Sequence, residues 1–153
     1  QMASGAPIGA LMAKAELADR WTAPSISTFG GNPVSMAAAC ATIDFMKEND
    51  TKANAKAMGD RFMDGLKKLQ RKYPCMGDVR GKGLMLGIEF VKEGKEPAAG
   101  LLLKILEGTK KRGLLVGKGG LDGNVMRLAP HLTVTPGEID GALEILEQAI
   151  AQA

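Results

Sequence analysis

Aromatic residues, cysteine and histidine are scarce in this sequence. Its 153 residues include four Phe, one Trp, one Tyr, two Cys and one His. Hydrophobic residues nevertheless make up 45% of the chain, which excludes a disordered protein and is enough for one domain with a core. With so few aromatic side chains, that core must be built from Leu, Ile, Val, Met and Ala.

Long apolar runs, long runs of one charge and cysteine clusters are also absent. Cys40 and Cys75 have neither metal-site spacing nor a disulfide framework, so we expect buried or half-buried free thiols and no metal site. The net charge of +3 is spread along the chain, which argues against nucleic-acid binding. No apolar run approaches the ~20 residues that cross a bilayer, and no charged-then-apolar leader opens the sequence. We therefore expect a cytoplasmic protein that acts on small molecules, without a membrane partner.

Hydrophobic periodicity and the positions of Gly and Pro predict a mixture of helices and strands. The predicted helices cover about residues 14–21, 33–47, 54–69 and 97–112, and a last one begins at Pro136. The predicted strands cover residues 8–13, 83–91, 114–116 and 125–128. This order indicates an α/β fold class, with a small α+β layer whose helices lie on one face of the sheet.

Three of the predicted helices have an apolar stripe along one face, and that of the last helix consists of Ile139, Leu143, Leu146 and Ile150. The stripe of the helix over residues 33–47 consists of Met36, Ala39, Cys40, Ile43 and Met46. The stripe of the helix over residues 54–69 consists of Met58, Phe62, Leu66 and Leu69. Lysines and acidic residues lie largely on the opposite side of the second helix, so its amphipathic pattern is the clearer one.

The segment STFGGNP, residues 27–33, is built like a phosphate-binding turn. Its small residues let the backbone approach an oxyanion, Thr28 offers a hydroxyl, and Asn32 and Pro33 are suited to the N-cap and the first helical position. The N-terminus of a helix there would favour an anion. The alternative is an ordinary helix entry in which Thr28 only caps the turn.

Further segments resemble, in their order, the C-terminal part of the class III aminotransferases. They are GAPIGA (residues 5–10), VRGKGL (79–84), GLLVGKGG (113–120) and GNVMRLAP (123–130). The stretch from residue 114 to 127 looks most like the alanine–glyoxylate and 4-aminobutyrate aminotransferase branches. The resemblance implies the C-terminal portion of the aspartate-aminotransferase fold, fold type I. Residues 1–50 would be the end of the large cofactor-binding domain with the interdomain helix, and residues 51–153 the small C-terminal domain.

The resemblance also implies an activity and two binding residues. Such enzymes are homodimers that use pyridoxal 5'-phosphate to move an amino group from an amino acid or amine to a 2-oxo acid. By the matching positions, Thr28 would bind the cofactor phosphate across the dimer interface, and Arg127 would bind the substrate carboxylate. A salt bridge from Arg127 to an acidic residue at the strand edge is the alternative.

Several family features have no counterpart in this sequence. The family lysine that forms a Schiff base with the cofactor lies just upstream of the GAPIGA segment, whereas the first lysine here is Lys14. Lys14 and Lys118 lie outside that context and are expected to be surface charges, so we expect a fragment without catalytic residues that is inactive alone. His131 stands where the family more often has proline, and we expect it to face solvent rather than act as a base. A different interpretation is a non-catalytic domain that self-associates and binds carboxylates or a partner protein.

The last helix generates the first prediction. Thr135, Pro136 and Glu138 match a capping box with Pro at the first helical position. Replacing Thr135 with Ala removes the side-chain oxygen that accepts from the helix N-terminus, so the free energy of unfolding should fall by roughly 1 kcal/mol. Urea unfolding of the Thr135→Ala variant measures this change, and unaltered stability would contradict the capping box.

Overall fold

The computed structural model describes residues 2–153. Contacts within the chain divide it into two compact units, with the break between Asp50 and Thr51. Each unit is described on its own below. The proposed assignment of the first unit to a large cofactor-binding domain stays a prediction.

The described part of the first unit, residues 2–50, contains two helices, α1 (Ala15–Ala18) and α2 (Pro33–Glu48). The predicted strand over residues 8–13 is wrong: these residues form no strand, and Leu11 and Met12 are 83% and 96% exposed. A strand needs a neighbour for its backbone N–H and C=O groups. Among the described residues, every strand belongs to the second unit.

Helix α2 begins as predicted. The Asn32 side chain accepts a hydrogen bond from the Ser35 N–H at 3.0 Å, and Pro33 occupies the first turn. The predicted stripe is largely exposed, however, because the buried side of α2 runs through Ser35 and Ala39. Cys40 follows Ala39 by about 100° around the helix and is exposed, so the prediction of a buried thiol there is wrong. Cys75 is half-buried, as expected.

The second unit contains three helices and a four-stranded antiparallel sheet with the order β1-β2-β4-β3. The elements are α3 (Thr51–Lys72), β1 (Met76–Lys82), β2 (Met85–Phe90), α4 (Ala99–Lys111), β3 (Gly117–Gly119), β4 (Val125–Leu128) and α5 (Pro136–Ala151). A short 3-10 turn, Glu93–Lys95, separates β2 from α4. The predicted α/β class with a small α+β layer is confirmed.

Two strands differ from the prediction. Strand β1 was missed, because only Met76 and Val79 of its seven residues are buried and a bulge between Met76 and Asp78 breaks the alternation. The strand expected at residues 114–116 instead occupies Gly117–Gly119. The Gly-rich sequence of β3 gave no period-2 signal, since glycine has no side chain to alternate.

Alternation along the strands places apolar side chains on one face of the sheet. Val79, Ile88 and Met126 pair directly across β1, β2 and β4, and each is at most 3% exposed. The helices cover this face with a single buried cluster that includes Phe62, Leu66, Leu69, Leu102, Ile105, Ile139, Leu146 and Ile150. Most of the predicted stripe of α3 therefore forms part of the core, with Met58 packed partly buried against it.

Helix α3 lies against the turn between β1 and β2 with almost no space between the two backbones. A Cβ atom on Gly59 would be 2.4 Å from the carbonyl carbon and oxygen of Gly83. Gly83 has a φ of +55°, a conformation that glycine adopts readily and other residues rarely do. Both glycines are therefore required where the helix crosses the turn.

This contact yields a second prediction. Gly59→Ala should lower the free energy of unfolding by about 1–3 kcal/mol, because backbone atoms of the turn must move to admit the methyl group. The matched control is Gly141→Ala in α5, where no atom lies within 4 Å of the added Cβ and the change should stabilise the chain by about 0.5–1 kcal/mol. Urea unfolding of both variants gives the comparison. Equal stabilisation by the two substitutions would contradict the close approach.

Candidate functional site

The face of the sheet opposite the core carries most of its charge, and we call it the open face. Asp78, Arg80 and Glu89 lie there on β1 and β2, and Arg127 lies there on β4. Arg80 pairs across the strands with Gly87, Gly87 with Arg127, and Arg127 with Gly117. The two arginines thus stand in one row, with a glycine between them and another at the edge.

Glycines make room for the Arg127 side chain. A Cβ on Gly117 would be 3.4 Å from the Arg127 Cβ, and a Cβ on Gly119 would be 2.7 Å from the Arg127 Cδ. The stem of Arg127 therefore leans across β3, the edge strand. Met126 and Leu128, its neighbours in sequence, are buried as predicted, while Arg127 itself is exposed.

The Arg127 guanidinium has no protein partner within the described part of the chain: it forms neither an ion pair nor a hydrogen bond there. The alternative of a salt bridge at the strand edge is therefore not what these residues form. An unpaired guanidinium presents a planar set of donors that matches a carboxylate.

Arg80 is paired, in contrast. Its Nη1 donates to Asp78 Oδ2 at 2.7 Å and to Glu89 Oε2 at 2.8 Å. The hydrogen bond to Asp78, followed by that to Glu89, raises the pKa of Arg80. The side chains of Arg80 and Asp78 are about half exposed and that of Glu89 is about one-third exposed, so this network lies at the surface of the open face.

Arg127 also lines a cavity of about 410 Å³ in the second unit. Its apolar lining includes Phe62, Leu114, Val116, Leu128, Val134, Ile139 and Ala142. His131 and Glu138 are its other charged or titratable lining residues. The cavity thus combines apolar walls with few polar groups, a composition typical of small-molecule sites.

His131 is exposed, as predicted, but it does have a carboxylate nearby. Its Nε2 lies 3.7 Å from Glu138 Oε1, and its Nδ1 lies 3.0 Å from Thr133 Oγ1. The other oxygen of Glu138 completes the predicted capping box, accepting from the Thr135 N–H and hydroxyl, both at 2.8 Å. The backbone N–H of Thr135, then its hydroxyl, and more weakly His131 lower the pKa of Glu138.

Thr28 lies in the first unit, in a turn that the Gly30 N–H closes by donating to the Ser27 carbonyl at 3.0 Å. Its neighbours Ser27 and Phe29 line a cavity of about 390 Å³, whereas Thr28 does not line it and is exposed. The Asn32 side chain accepts from the Ser35 N–H at the start of α2, while the Met36 N–H makes the first ordinary helical hydrogen bond, to the Asn32 carbonyl. One backbone N–H of the first turn is therefore not available to an anion.

None of the helices in residues 2–153 is both long and apolar enough to span a bilayer. Across the same residues, no group of three or more His, Cys, Asp or Glu side chains is placed to hold a metal ion.

The chain is similar to known enzymes over almost its whole length. The family model described as aminotransferase class-III matches residues 1–150. The chain is 37% identical over 152 residues to alanine–glyoxylate aminotransferase 2 homolog 2, mitochondrial, of Arabidopsis thaliana, covering 97% of this chain and 32% of that protein. It is 37% identical over 149 residues to the alanine/serine racemase of Pyrococcus horikoshii, covering 97% of this chain and 31% of that protein.

A solved structure matches nearly all of the chain. It is a phospholyase from Arthrobacter in complex with phosphoethanolamine, with a TM-score of 0.94 and 33% identity, covering 99% of this chain and 37% of that one. The chain therefore spans about a third of the length of the proteins that it matches.

The capping carboxylate gives a prediction for stability against pH. Because the folded state lowers the pKa of Glu138, its charge stabilises the fold above the ordinary pKa of a glutamate, and this contribution is lost as the pH falls through the lowered value. The difference in free energy of unfolding between the wild type and Glu138→Gln should be largest near pH 7 and should shrink below about pH 4. Urea unfolding at several pH values measures it, with Glu144→Gln on the same helix as the control. A difference independent of pH would contradict this role.

Proposed function

This chain belongs to the class-III aminotransferase family, and we propose that it forms the C-terminal part of an enzyme that moves an amino group from an amino acid or amine to a 2-oxo acid. The unpaired guanidinium of Arg127 carries this proposal. Amino acids and 2-oxo acids both carry a carboxylate, and Arg127 is the residue suited to bind it. The enzyme is proposed to be a homodimer that uses pyridoxal 5'-phosphate.

The surroundings of Arg127 support the carboxylate role. Its donors are exposed and unpaired among the described residues, and its direct cross-strand neighbours, Gly87 and Gly117, have no side chains. The fork of the guanidinium fixes a carboxylate with two parallel hydrogen bonds, which orients the ligand as well as binding it. The apolar cavity wall beside it excludes water from part of the bound ligand.

The turn in the first unit fits the phosphate of the proposed cofactor. Gly31 has a φ of +70° and no atom within 4 Å of where a Cβ would lie, so an oxyanion has access to the backbone there. The exposed Thr28 hydroxyl forms no hydrogen bond within the described residues and is available to donate, in this proposal to a phosphate held in the other subunit. When bound, pyridoxal phosphate supplies an electron sink for the bonds broken at the amino-bearing carbon of the substrate.

The chain contributes binding groups in this proposal rather than the reactive amine. Lys14 and Lys118 are both exposed, and Lys118 folds over Gly123 at the end of the β3–β4 hairpin. We therefore place the lysine that binds the cofactor outside this sequence, and we assign no catalytic residue within it. The chain alone is expected to be inactive.

A non-catalytic, self-associating domain is the second candidate, and one observation favours it. Several large apolar side chains of the first unit are highly exposed, among them Leu11, Met12, Ile26 and Phe29. Exposed apolar patches mark interaction surfaces. In that case the chain would associate and bind carboxylates or a partner without taking part in amino transfer.

A chimera tests the proposed function. In it, this chain replaces the matching part of the Arabidopsis relative, and the conversion of alanine and glyoxylate is followed. Arg127→Gln should raise the KM for the 2-oxo acid about 10- to 100-fold with a smaller change in kcat, because a charge-assisted carboxylate contact is lost. The control is Arg61→Gln, which removes an exposed arginine that pairs with Asp140 on α5.

The outcomes separate the candidates. Racemisation of alanine and lyase products are measured in the same reactions, since two of the matched proteins are a racemase and a phospholyase. An unchanged KM in the Arg127→Gln chimera would overturn the carboxylate role. A chimera that folds and binds the cofactor but converts no amino compound would favour the non-catalytic domain.

A further inference from the structure

The register of the sheet raises a question about Glu89. This carboxylate lies on the open face of β2, directly opposite Asp78 on β1 and Val125 on β4. Arg80 and Arg127 are each two residues further along those same neighbouring strands. Glu89 is therefore a diagonal neighbour of both arginines, and diagonal neighbours of roughly 7–8 Å lie within reach of long side chains.

Glu89 pairs with only one of these arginines. Arg80 Nη1 lies 2.8 Å from Glu89 Oε2 and 2.7 Å from Asp78 Oδ2, so a single guanidinium holds both carboxylates. Arg127 leans the other way, with its Cδ over Gly119 on β3. Gly87, which lies between the two arginines, has no side chain of its own, and Val125 Cγ1 is the side-chain atom nearest to that position, 3.5 Å from where a Cβ of Gly87 would lie.

We propose that Arg80 is a positioning residue for the carboxylate site: by holding Glu89 and Asp78, it keeps Arg127 unpaired and available for the carboxylate of a ligand. This inference rests on the proposed function of Arg127. Arg80 itself does not touch the ligand. Its effect comes from removing the competing anion on the same sheet face.

Charge on the open face agrees with this role. Without Arg80, Asp78 and Glu89 would lose their ion pairs, and Arg127 would be the unpaired arginine diagonal to Glu89. An internal carboxylate is present at a far higher effective concentration than a dissolved ligand. Glu89 would then turn toward Arg127 and compete with the ligand. The competition is electrostatic, so it disappears when Glu89 is neutralised.

The first arm of the test uses the 153-residue chain and needs no ligand. The probe is the NMR signal of the Arg127 Nε–H group in the wild type, Arg80→Gln, Glu89→Gln and the double variant. Arg80→Gln should shift this signal, Glu89→Gln alone should leave it unchanged, and the double variant should return it to the wild-type position. Arg80→Lys, which keeps the charge, should also resemble the wild type.

The second arm measures the KM for the 2-oxo acid in the chimera. Arg80→Gln should raise the KM roughly two- to fivefold, the effect of one exposed ion pair, with kcat unchanged, and the added Glu89→Gln substitution should restore it. Arg61→Gln, which frees Asp140 on α5, serves as the control for the loss of an exposed arginine. Backbone amide spectra and thermal unfolding show whether each variant keeps its fold.

The two arms distinguish the inference from the proposal on which it rests. An Arg127 signal that does not respond to Arg80→Gln in a folded chain overturns the inference. A KM that rises in Arg127→Gln but not in Arg80→Gln also overturns the inference and leaves the function of Arg127 standing. A KM that no Arg127 substitution changes overturns the proposed function, while the first arm still reports whether Arg80 keeps Arg127 unpaired.

Discussion

The alternation of side chains along the strands is the constraint on which the second unit depends. In β4, Met126 and Leu128 enter the core while Arg127 between them reaches solvent. A slip of one residue against β2 would bury the guanidinium and expose two apolar side chains, which costs free energy on both counts. The packing of Val79, Ile88 and Met126 under the helices therefore determines where the charge of Arg127 is placed. The register of β4 against β2 therefore determines both the packing of the core and the exposure of Arg127.

Charge on the open face is divided unequally between the two arginines. Arg80 is neutralised by two neighbouring carboxylates, whereas Arg127 has no ion pair among the described residues. Arg80 thus donates to carboxylates of the sheet itself, whereas the donors of Arg127 are not used by the described residues. The proposed carboxylate-binding role of Arg127 and the proposed positioning role of Arg80 both rest on that difference.

Local signals allowed much of the fold to be predicted from the sequence. Asn32, Pro33 and the capping box at Thr135 marked helix starts correctly, because caps depend on residues three positions apart. The order of the Gly-containing motifs gave the correct family and fold type. Strand β1 and the start of β3 were missed, since their pairing depends on a bulge and on glycines. The role of Arg127 was predicted from its motif and stays a prediction, whereas the network around Arg80 could not be predicted, because strand register brings its members together.

The contact between Gly59 and Gly83 has a consequence for the order in which the second unit assembles. Helix α3 and the β1–β2 hairpin are consecutive in the sequence, so joining them closes only a short loop and sacrifices little chain entropy. Strand β4 can add to β2 only after the chain has passed through α4 and β3. We therefore expect the helix and hairpin to form the folding nucleus, with the strand that carries Arg127 joining a template that already exists.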